Sequence, residues 1–178
     1  MSPRRSKLAH LSPKLLRARA ARIALVLTDS DGVLTDTGVF YSGDGEIMKR
    51  FSIRDGMGVE RLRNAGIETA ILTGELSASV RRRAEKLEMR YLYLGIKDKA
   101  AHLETICTET GLSRDRLAFI GDDMNDLGII RELTPLGLTG APSDAIPTIA
   151  REVLYRCRQP GGHGAFREFA EWILSLRA

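Results

Sequence analysis

The sequence predicts an α/β fold, a doubly wound, Rossmann-like parallel sheet with a small β-hairpin inserted near its start. Three observations lead there. Short apolar runs alternate with amphipathic stretches from residue 22 onward, the pattern of a mainly parallel sheet joined by helices. The first run, Ile23 to Leu27, stops at Asp29-Ser30-Asp31-Gly32, and a later one stops at Gly121-Asp122-Asp123; open parallel sheets collect active groups at such strand ends. The 178 residues hold no repeat, low-complexity segment or linker, so a single domain covers them.

Taken in order, residues 1–21 read as a basic leader, partly disordered or with a short helix over "SPKLLRARAARI" leading into the first strand, and residues 22–178 as the domain. "IALVLT" is the first buried strand. "GVFYSGDGEIMKRF" is a hairpin, with Gly38 to Tyr41 outbound, a turn at "SGDG" and Ile47 to Phe51 returning. "RDG" reads as a turn, after which "GVERLRNAG" is a short helix stopped by Gly66. "IETAIL" is the next strand, and "SASVRRRAEKLEM" a helix with Val80, Ala84 and Leu87 on one face. "RYLYLG" is a short strand and "KAAHLETICTETG" a helix ending at Gly111. "RLAFIG" is a strand and "MNDLGIIREL" a helix. "LGLTG" and "EVLYRC" are strands around a "DAIPTIA" helix. After the turn-rich "RQPGGHG", the last helix lines up Phe166, Phe169, Ala170, Ile173 and Leu174.

Composition narrows the function classes. Apolar residues at 43% and charged residues at 28% describe a soluble globular protein, and no apolar run approaches the ~18 residues of a membrane span. The net charge of +4 comes from residues 1–22, which carry seven Lys or Arg and no acid; the remainder holds 20 bases against 23 acids. A nucleic-acid binder needs its basic surface on the fold, so no nucleic-acid partner is expected. The leader lacks the apolar core of a secretion signal; its Arg-rich character fits either a transit peptide or a short helix. Cys107 and Cys157 stand 50 residues apart without a pairing pattern, as expected of reduced thiols in the cytoplasm. His10, His102 and His163 show no zinc-ligand spacing.

The strand ends hold the chemistry. The first contributes Asp29 and Asp31, "IETAIL" contributes Thr73-Gly74-Glu75, the segment after the short strand contributes Lys97 and Lys99, and "RLAFI" contributes Asp122 and Asp123, with Asp126 following. Clustered carboxylates that include no histidine or thiol suit a hard cation such as Mg2+, which also offsets the repulsion between Asp29 and Asp31. The same inventory suits phosphoryl transfer. A phosphomonoester dianion repels an attacking carboxylate until a metal and a lysine neutralise it. Asp29 is then the nucleophile and Asp31 the general acid and base. Thr73 and Lys99 bind the phosphoryl group and Asp122 holds the metal. Any one of these segments alone could be a turn or a helix cap; their joint occurrence, in this order and each at a strand end, argues for a site.

These motifs, DxDG, TG, K and GDDxxD, resemble those of the haloacid dehalogenase superfamily. Within it the chain resembles the 3-deoxy-D-manno-octulosonate 8-phosphate phosphatases and their relatives acting on nine-carbon acid phosphates. "TDSDGVLTDTGVFYSGDGE", "IRDGMG", "ILTGE", "RRRAEKL", "DKAAHLE", "AFIGDDMND" and "GGHGAFREF" carry the likeness over residues 22–174. The resemblance implies a haloacid dehalogenase core, and the short spacings from Asp31 to Thr73 and from Thr73 to Lys99, filled by the hairpin, helices and strands, leave no room for a cap domain. It implies Mg2+ held by the Asp29 carboxylate, the Asp31 carbonyl and the Asp122 carboxylate, with Asp123 and Asp126 orienting groups around it. It also implies Gly74 as a phosphate contact beside Thr73 and Lys99, and a homotetramer whose hairpin and C-terminal tail approach a neighbour's site. Gly161, Gly162 and Gly164 would give that tail the backbone freedom of a mobile flap, so that Gly161→Ala with Gly162→Ala would cost the sugar phosphate more than an aryl phosphate.

The substrate stays open between eight and nine carbons. Glu75 stands where octulosonate phosphatases usually carry arginine, which leans toward the nine-carbon enzymes, whereas "IRDG" leans back. A glutamate there would repel the sugar carboxylate, which Arg54 from the "RDG" turn would bind instead. Ser30 replaces a commonly aliphatic residue, and His163 the arginine of a GGRG tail. Two rival readings are a receiver-like signalling domain and a catalytically weak family member acting as an oligomerisation module. The order of the acidic segments argues against the first; the complete set of signature residues argues against the second.

Overall fold

In the computed structural model, which describes residues 11–178, the first apolar run becomes β1 (Leu25–Thr28), buried along its whole length. Residues 1–10 of the leader lie outside the described residues. The rest of it forms α1 (Pro13–Ala20), started by the Ser12 hydroxyl accepting from the Leu15 amide and by Pro13 in the first turn. Arg19 from this helix is buried and donates to the carbonyls of Thr134, Pro135 and Gly137, which anchors the segment to the domain.

Beyond β1 the chain makes a hairpin, β2 (Val39–Ser42) and β3 (Gly45–Lys49), closed by a two-residue turn. It then alternates through α2 (Ile53–Asn64), β4 (Glu68–Leu72), α3 (Ala78–Lys86), β5 (Tyr91–Tyr93) and α4 (Leu103–Thr110). β6 (Leu117–Ile120), α5 (Leu127–Leu133), β7 (Leu138–Ala141), α6 (Pro147–Ala150), β8 (Tyr155–Arg156) and α7 (Ala165–Arg177) complete it. The six main strands are all parallel, in the order β5-β4-β1-β6-β7-β8, and the hairpin is a separate antiparallel pair. Because β1 lies between β4 and β6, the chain leaves it in opposite directions and a crevice opens at its carboxyl end.

Alternation along β1 divides the core. Val26 faces one layer with Leu62, Ile71, Phe166 and Ile173, while Leu25 and Leu27 face another with Leu103, Phe119 and Ile130. A fully buried side chain of this size contributes roughly 1.5–3 kcal/mol, so both faces of the sheet hold its strand ends in place.

Three boundaries differ from the sequence reading. The "RDG" segment is no turn; α2 begins five residues earlier, at Ile53, because the Ser52 hydroxyl accepts from the amides of Arg54 and Asp55. Gly56 and Gly58, poor helix formers, hid that turn of helix. α4 starts only at Leu103, since Asp98 accepts from the Ala101 amide and holds the preceding residues in a turn. "EVLYRC" contracts to a two-residue edge strand, paired with β7 at Tyr155 and Arg156.

Candidate active site

Residues 29–37 leave β1 toward the crevice. The Asp29 amide donates to the Ile120 carbonyl at 3.0 Å, which ties the loop to the neighbouring strand end. Asp29 Oδ1 accepts from the Ser30 amide at 2.7 Å and pairs with Lys99 Nζ at 2.9 Å. Lys99 is wholly buried and also contacts Asp126 Oδ1 at 2.6 Å. The other oxygen of Asp126 accepts from the amides of Asp122 and Asp123 at 2.9 and 3.4 Å. Asp126 is therefore committed on both oxygens and acts as a strut between the lysine and the Asp122 loop. Asp123 caps the short 3-10 turn Met124–Asp126 through the Met124 amide and remains exposed.

One oxygen each from Asp29, Asp122 and Asp126 lies within 4.8 Å of the others. Burial, then Asp126, pushes the Asp29 carboxyl up to about 7 against the opposing pull of Lys99. Burial, then Asp29, Asp126 and Asp123, pushes Asp122 up to about 8. Asp122 Oδ1 is buried with no hydrogen-bond partner. An acceptor-rich cluster with an orphaned carboxylate oxygen and one committed lysine is short of positive charge, which fits a hard divalent cation at Asp29 and Asp122. Gly32 makes this approach possible. It sits at φ +86°, and a Cβ there would collide with the Asp122 carboxylate.

Asp31 stands apart from that triad. Its carboxylate accepts from Lys49 Nζ at 2.8 and 2.7 Å and from the Thr35 hydroxyl at 3.2 Å. Thr73 is buried, its hydroxyl accepting from the Glu75 amide at 3.3 Å, and Gly74 follows at the cleft wall. The cleft encloses about 300 Å³ between Asp29, Asp31, Thr73, Gly74, Asp122 and Asp123. Glu75 is also on its wall, but it pairs with Lys97 at 3.2 Å, so the mouth carries a neutral pair rather than the lone negative charge the sequence suggested. Arg54 is not in this cleft; it is exposed and lines a separate recess with Arg50, Phe51 and His163.

Sequence reasoning passed over several groups. Lys49 came to notice only as part of a hairpin strand, and Thr37 and Asn125 also line the cleft. Thr37 carries φ +66°, a left-handed conformation unusual for a β-branched residue, and no sequence signal marks it. The "GGHG" segment, expected to be a loose flap, is packed. The Gly162 amide donates to Val33 O at 2.8 Å and the Gly161 amide to Asp144 at 3.0 Å. A Cβ on Gly161 would collide with the Gly32 carbonyl, so these glycines serve close approach to the loop after β1 rather than mobility.

No family model matches the chain. It is 35% identical over 162 residues to the 3-deoxy-D-manno-octulosonate 8-phosphate phosphatase KdsC of Haemophilus influenzae, covering 91% of this chain and 88% of the relative. The chain belongs to this phosphatase family. The Yersinia pestis KdsC is likewise 35% identical, covering 88% and 82% of the two chains. A solved structure of the Moraxella catarrhalis 3-deoxy-D-manno-octulosonate 8-phosphate phosphatase, in complex with magnesium, phosphate and KDO, superposes with a TM-score of 0.85 at 33% identity and covers 92% of each chain. As a member of this family of the haloacid dehalogenase superfamily, the chain is a phosphomonoester hydrolase. Among its described residues no helix is long and apolar enough to cross a membrane.

Proposed function

We propose that this phosphatase hydrolyses 3-deoxy-D-manno-octulosonate 8-phosphate with Mg2+ through an aspartyl-phosphate intermediate. The observation that carries this reading is the Asp29–Lys99–Asp126 cluster beside Asp122, in a chain one-third identical to an enzyme solved with magnesium, phosphate and KDO. Asp29 and Asp122 would hold the magnesium, with the Asp31 carbonyl, and the ion supplies Lewis-acid neutralisation of phosphoryl charge.

The chain's own residues then divide the work. Asp29 Oδ1 is held by the Ser30 amide and Lys99, which leaves Oδ2 to attack phosphorus. Attack forms the Asp29 O–P bond and breaks the P–O bond to the sugar, and Asp31 supplies the proton to the departing alkoxide. In the second step Asp31 takes a proton from the water that attacks phosphorus, the O–P bond to Asp29 breaks, and inorganic phosphate leaves. The Thr73 hydroxyl and Gly74 face the cleft to receive phosphoryl oxygens, while buried Lys99 offsets their charge.

The nine-carbon acids are the second reading, kept because Glu75 occupies the cleft wall, although its pairing with Lys97 weakens the repulsion argument. Exposed Phe40, Tyr41, Ile47 and Met48 on the hairpin support assembly into a homotetramer, which would bring Arg54 toward a neighbouring cleft. Two free cysteines support a cytoplasmic setting. The test is a kinetic panel of octulosonate 8-phosphate, ketodeoxynononate 9-phosphate and N-acetylneuraminate 9-phosphate with Mg2+ and with EDTA. A preference of about a hundredfold in kcat/KM for the eight-carbon substrate, abolished by EDTA, is expected; this corresponds to roughly 2.7 kcal/mol. A nine-carbon preference overturns the substrate assignment.

A further inference from the structure

The hairpin has inverted polarity. Ile47 and Met48 are more than half exposed, whereas the Lys49 side chain, between them and the domain, is only 2% exposed and that of Glu46 only 19%. A hairpin serving only as a cover or an interface has no use for buried charge, which is costly unless paired. Here the pairing leads into the active site. Lys49 Nζ contacts both oxygens of Asp31 at 2.8 and 2.7 Å, and Glu46 Oε2 at 3.5 Å. Glu46 Oε1 accepts from the Ser77 hydroxyl at 2.5 Å, and the same hydroxyl caps α3 by accepting from the Val80 amide at 3.2 Å. That cap stands two residues beyond Glu75 of the Thr73-Gly74-Glu75 loop, with Leu76 between them. The next residue, Arg50, donates to Asp36 at 2.7 Å and to the Gly162 carbonyl at 3.2 Å, so successive hairpin residues grip both ends of the 31–36 loop.

We propose that Lys49 is a positioning residue for Asp31, and that the Lys49–Glu46–Ser77 chain sets the distance between the acid/base carboxylate and the phosphate-binding loop. One ammonium on two oxygens fixes the plane of the carboxylate. Oδ1 is shared by Lys49 and Thr35, while Oδ2 has only Lys49 and keeps a lone pair to carry the proton that is given to the leaving-group oxygen and then taken from the attacking water. Without the lysine, Asp31 is tethered by one threonine hydroxyl, and misplacement of a reacting group by an ångström costs on the order of a hundredfold. The proposal rests on the assignment of Asp31 as acid and base.

The experiment is a double-mutant cycle on Asp31→Asn and Lys49→Met, run in single turnover with the sugar-acid phosphate and with p-nitrophenyl phosphate. Lys49→Met is expected to slow transfer from the sugar phosphate about a hundredfold with KM within about threefold, and to slow the aryl phosphate, whose leaving group needs little protonation, less than tenfold. In the Asp31→Asn background the same substitution should cost under threefold. Lys49→Arg should recover part of the loss. Should Lys49→Met not fold, Lys49→Gln, which keeps a donor, is expected to give the same substrate contrast at smaller amplitude. Equal losses on both substrates, or the same Lys49 loss with and without Asp31, would overturn the positioning role. If Asp31→Asn itself fails to distinguish alkyl from aryl leaving groups, it is the acid/base assignment that falls.

Discussion

Asp29 and Asp31 are two residues apart, yet each has its own buried lysine. Lys99 holds Asp29 from the far side of the sheet edge, and Lys49 holds Asp31 from the hairpin. Two neighbouring carboxylates thus coexist in separate electrostatic settings, which suits the proposed division of work between a nucleophile and an acid/base. Asp29→Asn is expected to abolish turnover and keep the fold, because an amide cannot attack phosphorus and carries no charge to repel Asp122 and Asp126. Turnover within about tenfold of wild type, a loss of only ~1.4 kcal/mol of transition-state stabilisation, would remove Asp29 from the nucleophile role. Metal-free thermal stability of the variant should equal or exceed that of wild type above neutral pH, where burial makes the Asp29 charge costly.

At the scale of elements, the loop that carries Asp29 and Asp31 is braced on both sides. β3 grips it through Lys49 and Arg50, and the segment before α7 packs beneath it through Gly161 and Gly162. Asp55 of α2 accepts from the Gly164 and Arg167 amides, at 3.1 and 3.0 Å, and so caps α7 from a neighbouring helix. This changes what Gly161→Ala should do. A methyl directed at the Gly32 carbonyl must shift the loop that carries Asp29 and Asp31, so hydrolysis of aryl and sugar phosphates should fall together. A loss of roughly 1–3 kcal/mol in stability is expected from the overpacking, measured by denaturant unfolding. Selective loss with the sugar phosphate alone would restore the mobile-flap reading.

For the whole molecule, the acidic cluster makes stability depend on pH and metal. Asp29 and Asp122 have folded-state values of about 7 and about 8, above the ~4 of an unfolded chain, so the folded protein retains protons that the unfolded chain has released. Their destabilising effect is absent below about pH 4, grows as the pH rises and is complete once it has passed both values. Melting without metal should therefore shift to lower temperature between pH 5 and about 8. Added Mg2+ should reverse most of the shift by binding the ionised form. A metal-free melting temperature that rises over this range would contradict the cluster as described. The exposed apolar hairpin predicts assembly as well: light scattering should give about four times the 19.7 kDa chain, and Tyr41→Glu with Ile47→Glu should lower that mass. A wild-type monomer active on the sugar phosphate would refute the shared-site arrangement.

The amino-acid sequence dictates the parallel sheet, because strands covered on both faces are written as unbroken apolar runs, such as Val26 between Leu25 and Leu27. It also dictates which residues stand at the carboxyl ends of those strands, since strand polarity alone brings Asp29, Thr73 and Asp122 to one rim. Helix starts were less legible at α2, where the Ser52 cap outweighs the poor propensity of Gly56 and Gly58. The partners across the site are set by how the elements pack together. Lys49 meets Asp31 from 18 residues away, Gly161 meets Gly32 from the far end of the chain, and Glu75 finds Lys97. Such contacts depend on where the hairpin and the tail fold back onto the sheet, and side-chain periodicity carries information about one element's faces, not about which other element will lie against them.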